Sequence, residues 1–304
     1  MMTMEKKSLN TSFVNALAQI RGERERAVII NCNTKLVTTL ALSSAIRYAD
    51  MPILLIDCES SDGSADWFAG LAAKHGFDFV SAPLRPHGKT LDLIFTKLRD
   101  ERILLIDSDL EILGESLMPA LRAGIEHEDV YGSGFLHASE LMKVASHTKV
   151  NPSRYMERMW IPLTFLKSRP VRAAIENGVT FMHSRDYLEF PWSRAFSKIL
   201  YARHRIPGLD QFSINVFASS CERRFGERVA FREYDTGARL HEALTKQGLS
   251  LFNLGEPHWS NSVRHYHGVT RATLKANQAN ATAPNIIQHE VATRLKAEYG
   301  LTVE

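Results

Sequence analysis

A run of apolar residues that ends in two acidic residues constrains the fold of this chain more than any other segment. Residues 103–106 read Ile-Leu-Leu-Ile, and Asp107-Ser108-Asp109 follows them directly. An uninterrupted apolar run of this length is typical of a strand buried on both faces of a parallel sheet. Because the interior of such a strand does not tolerate charge, Asp107 and Asp109 are predicted at its carboxyl end. That edge is where open α/β sheets bind ligands.

The two carboxylates themselves indicate a cation. Side chains two residues apart on an extended backbone point the same way, so Asp107 and Asp109 repel each other unless a cation joins them. Mg²⁺ and Mn²⁺ suit such a pair, since a few carboxylates hold them while they contact substrate phosphates. The alternative is that the two residues cap a helix or turn a loop, and the motif alone leaves both interpretations open.

Length and composition exclude several classes of protein. The chain has 304 residues, of which 44% are hydrophobic and 23% charged, as expected for a globular protein of one large domain or two. A net charge of +3 is too small to indicate nucleic-acid binding. Three scattered cysteines favour reduced thiols and a cytoplasmic location over a disulfide framework. No apolar run is long enough to span a bilayer, so membrane contact, if any, is expected to be peripheral.

Apolar segments with polar exits alternate with helical periodicity in the first half. This rhythm predicts a doubly wound parallel sheet, in which right-handed crossovers bring every strand exit to one edge. Neither a G-x-G-x-x-G nor a P-loop motif is present in the sequence. Substrate phosphates must therefore be bound by another group, such as a cation. The predicted strands are 27–33, 52–57, 77–81 and 103–106, the predicted helices are 36–49, a segment ending at 75, and 90–99, and the polar exits are Asn31, Asn33, Asp57, Asp107 and Asp109.

The segment after the second predicted strand resembles a known family. Residues 56–64 read Ile-Asp-Cys-Glu-Ser-Ser-Asp-Gly-Ser and resemble the D-x-x-S-x-D-G-S segment of GT-A nucleotide-sugar glycosyltransferases, especially the large inverting family 2. Asp107-Ser108-Asp109 resembles the D-x-D motif of that family. The resemblance implies a GT-A fold, which is a doubly wound, mostly parallel α/β sheet with an acceptor-side subregion. It also implies a nucleoside diphosphate sugar as donor, with a UDP-sugar favoured, and Mn²⁺ or Mg²⁺ as cofactor.

The same resemblance implies donor-binding residues. In the family the first Asp, here Asp57, hydrogen-bonds the nucleobase. Base and ribose lie near the polar exit of the first strand, here Asn31 and Asn33. Ser108, inside the D-x-D motif, is a further predicted donor contact. Lys89 lies where such enzymes often place a basic residue near the diphosphate, although a solvated lysine at a helix start is an equal alternative.

Later motifs resemble a second group, the retaining transferases related to glycogenin and bacterial lipooligosaccharide galactosyltransferases. In that group D-x-D is followed by N-x-G-V, then D-Q-x-x-x-N, then H-Y-x-G. The counterparts here are Asn177-Gly178-Val179, a shortened form of the first, Asp210-Gln211 with Asn215, and His265-Tyr266-His267-Gly268.

This second resemblance implies Asn177 as a donor contact, Asp210 and Gln211 as catalytic residues, and His265 as a cation ligand. Because side chains two residues apart on a strand face the same way, His267 is a competing ligand. Asp210 would be the general base if the enzyme inverts, or would orient the donor together with Gln211 if it retains. An ordinary helix N-cap is the alternative for Asp210.

The chain departs from both groups. Val269-Thr270-Arg271 stands where the retaining family has K-P-W, and that family lacks the D-G-S segment that this chain carries. The stereochemistry therefore stays open, with a slight preference for retention.

The sequence also suggests how the chain is divided. We expect a helical lead-in (1–24), a nucleotide-sugar-binding half (25–125), an acceptor-binding and metal-closing half (126–270) and a helical tail (271–304). Within the second half, residues 143–169 are expected to form an acceptor-side insertion, and residues 179–182 a strand. A final helix over 286–299 is expected to dock on the first half or on a second copy of the chain.

The predicted reaction moves a sugar from a nucleoside diphosphate to a hydroxyl of a carbohydrate or glycolipid acceptor, in polysaccharide or glycolipid synthesis. Three other classes of protein share features with this sequence. Aspartate-nucleophile phosphatases also have D-x-D, but Glu111 stands where they have Thr or Val. Sugar nucleotidyltransferases carry an N-terminal glycine-rich loop that is missing here. A non-catalytic scaffold of the same fold is the third alternative.

Overall fold

The fold is organised around one large sheet. A computed structural model of the chain describes residues 4–137, 154–187, 231–256, 258–266 and 282–303. Its strands are β1 Glu25–Asn31, β2 Ile53–Cys58, β3 Asp78–Ala82, β4 Arg102–Asp107, β5 Leu110–Ile112, β6 Val130–His137, β7 Arg154–Tyr155, β8 Arg158–Lys167, β9 Ser184–Tyr187, β10 Phe231–Tyr234, β11 Ser250–Asn253 and β12 Val263–His265. Its helices are α1 Met4–Gln19, α2 Lys35–Tyr48, α3 Ser64–His75, α4 His87–Lys97, α5 Leu117–Ile125, α6 Ser168–Glu176, α7 Ala238–Thr245, α8 His258–Ser262 and α9 Thr282–Tyr299.

The central sheet has seven strands in the order β11-β6-β8-β4-β1-β2-β3. Strand β8 is antiparallel to both of its neighbours, and the other pairings are parallel. The prediction of a mixed α/β fold with a mostly parallel sheet is therefore confirmed. The register aligns Asn31 with Asp57, and Ile30 with Asp107, so these strand exits lie at one edge, as the sequence rhythm predicts.

Alternate residues of the inner strands face opposite sides of the sheet. Val28, Leu54 and Leu105 belong to one buried cluster, which also contains side chains of α1, α4, α6 and α7. The opposite cluster contains side chains of α2, α3 and α5, together with the strand residues that alternate with the first set. Because each buried aliphatic side chain contributes about 1.5–3 kcal/mol, the two clusters hold helices on both faces of the sheet. The sheet is thus doubly wound.

The largest difference from the sequence-based expectation concerns residues 143–169. The described part of this segment contains β8, a central strand between β4 and β6, rather than an acceptor-side insertion. The sequence pattern did not predict this strand because proline lacks the backbone N–H that a central strand donates to its neighbour, so Pro162 argues against a central strand. Here Pro162 lies just beyond the residues paired with β4, and opposite the irregular stretch of β6 between Gly134 and Leu136, where the ladder is interrupted.

A second expectation was also wrong. Residues 179–182 form no strand, and β9 begins only at Ser184. Asp92 on α4 holds this segment through side-chain contacts. The hydroxyl of Thr180 donates to Oδ2 of Asp92 (2.5 Å), and the backbone N–H of Phe181 donates to Oδ1 (2.9 Å). The apolar pattern reports the burial of Phe181 rather than a ladder.

The C-terminal helix α9 packs on α2. Val291 and Leu295 of α9 share a buried cluster with Val37 and Leu40 of α2 and with Tyr266. The predicted final helix is therefore present, beginning earlier than expected, and it docks on the first half of the chain. Among the described helices, none is both long enough and apolar enough to cross a membrane.

Candidate functional site

The D-x-D motif lies at the carboxyl edge of the sheet, where β4 ends. Asp107 is the last residue of β4, and Ser108-Asp109 forms the turn into the short strand β5. Strand β12 pairs with β5 in the antiparallel direction and aligns His265 with Leu110. This pairing brings a histidine 156 positions later in the chain to the second aspartate of the motif.

The three side chains converge closely. Asp107, Asp109 and His265 each offer a ligand atom, and these atoms all lie within 4.8 Å of one another. Nε2 of His265 is 3.0 Å from Oδ1 of Asp109, and Asp109 is only 7% exposed. The ring of Trp160 meets the His265 imidazole edge-on, with centroids 5.2 Å apart, and helps to fix its orientation.

The electrostatics of this cluster suit a cation. Burial and the neighbouring Asp109 carboxylate raise the pKa of Asp107, while His265 acts in the opposite direction. A divalent cation relieves the repulsion between the two carboxylates. Carboxylate oxygens favour Mg²⁺ or Mn²⁺ and imidazole favours transition ions, so Mn²⁺ fits the mixed donor set best.

Removing the Asp107 charge is expected to stabilise the metal-free protein. A carboxyl whose pKa is raised on folding costs stability as the pH rises from its unfolded value, near 3.8, through its higher folded value. Asp107→Asn should therefore raise the free energy of unfolding by about 1–2 kcal/mol at pH 8, with the gain shrinking toward pH 4. Urea unfolding in EDTA at several pH values measures this difference. An Asn variant less stable than wild type at pH 8 would contradict it.

The predicted nucleoside contacts form a second group at the same edge. Nδ2 of Asn31 donates to Oδ1 of Asp57 (2.6 Å) and to Oγ of Ser60 (3.1 Å). The backbone N–H of Ser60 donates to Oδ2 of Asp57 (3.2 Å). Asn31 and Asp57 are buried, so in this structure the two side chains brace the loop after β2. Contact of Asp57 with a nucleobase stays a prediction.

Asn33 reinforces the same loop. Its backbone is left-handed (φ 54°), a conformation that asparagine tolerates better than most residues. Its side-chain oxygen accepts hydrogen bonds from the backbone N–H and the hydroxyl of Ser61 (2.6 and 3.2 Å). The loop that carries the D-G-S segment is thus held against the end of β1.

Three further predicted site residues lie in described parts of the chain. Ser108 is buried between Asp107 and Asp109, at the start of the turn into β5. Lys89 is exposed on the first turn of α4. Asn177 follows α6, and its side-chain amide donates to the Ala173 carbonyl (2.9 Å), which closes that helix. Asp210, Gln211 and His267 lie outside the described residues, so their roles stay predictions.

Two residues near the cluster were missed at the sequence level. At the start of α4, partial desolvation lowers the pKa of the exposed His87, while the charges of Asp109 and Asp235 act against that shift. His87 and Asp235 therefore lie in the same electrostatic environment as the motif. The only sequence signal was the position of His87 beside the singled-out Lys89.

Comparisons with known proteins add structural likeness only. No protein-family model matches the sequence, and no curated protein matches it significantly. Among solved structures, S. aureus TarS 1–349 in complex with UDP matches with a TM-score of 0.36 and 16% identity over 53% of this chain and 50% of that one. The match thus spans about half of the TarS fragment.

Two further structures align over more of one chain or the other. The mannosyltransferase PcManGT from Pyrobaculum calidifontis, in complex with GDP-Man and Mn²⁺, has a TM-score of 0.40 and 13% identity over 94% of this chain and 87% of that one. The 4-diphosphocytidyl-2C-methyl-D-erythritol synthase from Anaerococcus prevotii has a TM-score of 0.38 and 13% identity over 52% and 77%. Likeness at this level does not decide what the chain does.

Proposed function

We propose that the chain is a metal-dependent glycosyltransferase of the GT-A type, which moves a sugar from a nucleoside diphosphate to an acceptor hydroxyl. The observation that carries this proposal is the convergence of Asp107, Asp109 and His265 at the carboxyl edge of a doubly wound sheet. Two carboxylates and an imidazole form a donor set for a divalent ion, and this edge is where such sheets bind nucleotides.

In the proposed site, Asp107, Asp109 and His265 hold Mn²⁺ or Mg²⁺. The bound ion would neutralise the negative charge that develops on the departing diphosphate. Lys89, on the first turn of α4, is suited to contact the same diphosphate. Asp210 and Gln211 are the proposed catalytic pair, and Asp210 would either deprotonate the acceptor or orient the donor.

The nucleoside end of the donor is proposed to lie against the exits of β1 and β2. Asn31, Asn33 and Asp57 line that place, and their hydrogen bonds hold the loop after β2 in one conformation. A preorganised loop binds a nucleotide without the cost of ordering it. Ser108 and Asn177 complete the proposed donor contacts, and a UDP-sugar is the favoured donor.

The acceptor is proposed from the kind of reaction that the site would catalyse. A carbohydrate or glycolipid hydroxyl is the proposed acceptor, in polysaccharide or glycolipid synthesis, with retention slightly favoured. Cys32 and Cys58 are free thiols, in keeping with the proposed cytoplasmic location. Peripheral membrane contact and a homodimer are the remaining proposed associations.

Donor hydrolysis tests the proposal without knowledge of the acceptor. We expect one nucleotide sugar in a panel of UDP-, GDP-, CMP- and dTDP-sugars to be hydrolysed slowly in Mn²⁺ and not in EDTA. Product NMR then shows the anomer, which settles the stereochemistry. Release of inorganic phosphate from p-nitrophenyl phosphate, with every nucleotide sugar left intact, would instead support the phosphatase alternative. Failure of every nucleoside diphosphate and nucleotide sugar to bind would support the scaffold alternative.

A further inference from the structure

We infer that Arg294, on the C-terminal helix α9, is a positioning residue for the cation site and holds Asp109 and His265 in place through Glu111. This inference deepens the proposed function and rests on it for the identity of the ligand. The contact itself is a property of the metal-free protein, which allows the two to be tested separately.

The contact between Glu111 and Arg294 is buried and directional. Glu111 lies on β5, two residues after Asp109, and is 0% exposed. Nε of Arg294 is 3.1 and 2.9 Å from the two carboxylate oxygens of Glu111, and Nη2 is 2.6 Å from Oε1. A guanidinium that meets a carboxylate through two nitrogens fixes distance and angle together. The pair therefore fixes β5 relative to α9.

Tyr266 extends this contact to the cation ligands. Its hydroxyl donates to Oε2 of Glu111 (3.1 Å), and its backbone N–H donates to the carbonyl of Asp109 (2.8 Å). Tyr266 directly follows His265, and its ring packs with Val291 and Leu295 of α9. Tyr266 thus contacts α9, the buried Glu111 carboxylate and the backbone of Asp109, and it directly follows His265 in the chain.

The ribbon formed by β5 and β12 needs such external support. Only three residue pairs join the two strands, which is too few for a two-stranded ribbon to be stable in water on its own. Metal sites require their ligands to be held within about 0.5 Å of the productive geometry. Because Asp109 and His265 lie at the end of this ribbon, the contacts that anchor it set their separation.

The chain offers a matched control for the buried pair. Arg264 of β12 and Glu290 of α9 also form an ion pair (3.3 Å), which joins α9 to the same ribbon. Their side chains are 42% and 47% exposed, whereas the side chain of Glu111 is 1% exposed. An exposed pair contributes little to geometry or stability. Glu290→Gln therefore removes this exposed pair from α9 and leaves Glu111, Arg294 and Tyr266 unchanged.

Hydrogen exchange of the metal-free protein tests the anchor directly. The backbone N–H groups of Leu113 and Tyr266 donate across the ribbon and its flank, to Ser262 and Asp109. In Arg294→Met we expect peptides covering 110–113 and 263–266 to exchange at least about tenfold faster than in wild type. Arg294→Lys, which keeps one charged contact, should exchange at a rate between those of Arg294→Met and wild type, and Glu290→Gln should match wild type. Unchanged exchange in Arg294→Met would overturn the inference.

A double variant separates positioning from ordinary stabilisation. Arg294→Met alone leaves the Glu111 carboxylate buried without its charged partner, which lowers the Tm. The double variant Glu111→Gln with Arg294→Met removes both charges, so its Tm should recover toward that of wild type. The positioning role predicts that ribbon exchange stays fast in the double variant, and that Mn²⁺, titrated by calorimetry, binds at least about tenfold more weakly than to wild type. Recovery of protection and Mn²⁺ affinity together with the Tm would show a merely structural role and overturn the inference.

The two proposals fail in different ways. If wild type binds no Mn²⁺, the proposed function fails, while fast ribbon exchange in Arg294→Met would still support the anchor. If wild type binds Mn²⁺ and Arg294→Met binds it equally well, the proposed function survives, and the positioning role of Arg294 is overturned.

Discussion

Asp109→Asn is expected to abolish the response of the protein to Mn²⁺ and to a nucleoside diphosphate. Asp109 is buried within the cluster, whose one other carboxylate among the described residues is that of Asp107. Replacing a charged ligand oxygen by an amide keeps the shape of the side chain but removes the charge that attracts the ion. We expect Mn²⁺ affinity to fall at least about 100-fold. Donor hydrolysis should become undetectable.

Calorimetric titration and thermal unfolding with Mn²⁺ and UDP measure this effect. Wild type should show an increase in Tm that EDTA reverses, and Asp109→Asn should show none. Glu101→Gln is a suitable control, because Glu101 is an exposed residue directly before β4, at the opposite end of the strand from Asp107, and loses the same charge. An Asp109→Asn variant that retains the Mn²⁺-dependent increase in Tm would rule out the proposed ligand set.

Arg26→Met is expected to destabilise the protein strongly. Arg26 and Asp100 are each 1% exposed, and Nε of Arg26 donates to Oδ1 of Asp100 (2.9 Å). Its other nitrogens donate to Asp78 and to the carbonyl of Arg21. Without the guanidinium, Asp100 stays buried with its charge uncompensated. The expected loss is about 3–5 kcal/mol of unfolding free energy.

Urea unfolding in EDTA measures this loss, and two further variants interpret it. Arg21→Met removes an arginine whose side chain is 88% exposed and should change stability by less than about 0.5 kcal/mol. Arg26→Met combined with Asp100→Leu removes both buried charges and should recover much of the stability. If Arg26→Met is as stable as Arg21→Met, the buried pair does not hold the amino ends of β1 and β4 together.

The parts of the fold that follow local rules could be predicted from the sequence. Residues 103–106 are apolar on both faces of β4, and the structure buries them between helices on both sides. Strand β8 could not be predicted in the same way, because Pro162 breaks the pattern of a central strand. Its acceptable position depends on the irregular pairing of β6, a property of another segment.

The candidate site, like the fold, could be predicted from the sequence only in part. Burial at the end of a strand predicts the position of Asp107 and Asp109, whereas His265 reaches them only through the pairing of β5 with β12. Local periodicity contains no information about that pairing, and the histidine was selected on family resemblance. Glu111 and Arg294, which are 183 positions apart, carried no sequence signal for their contact.

Anomalous diffraction from crystals grown with Mn²⁺ and UDP tests the central claim most directly. Data collected on both sides of the manganese absorption edge locate the ion independently of any chemical assumption. We predict one strong anomalous peak bounded by the side chains of Asp107, Asp109 and His265, with the diphosphate beside it. Clear density for UDP at this edge without such a peak, or a manganese peak elsewhere with His265 still hydrogen-bonded to Asp109, would contradict the account.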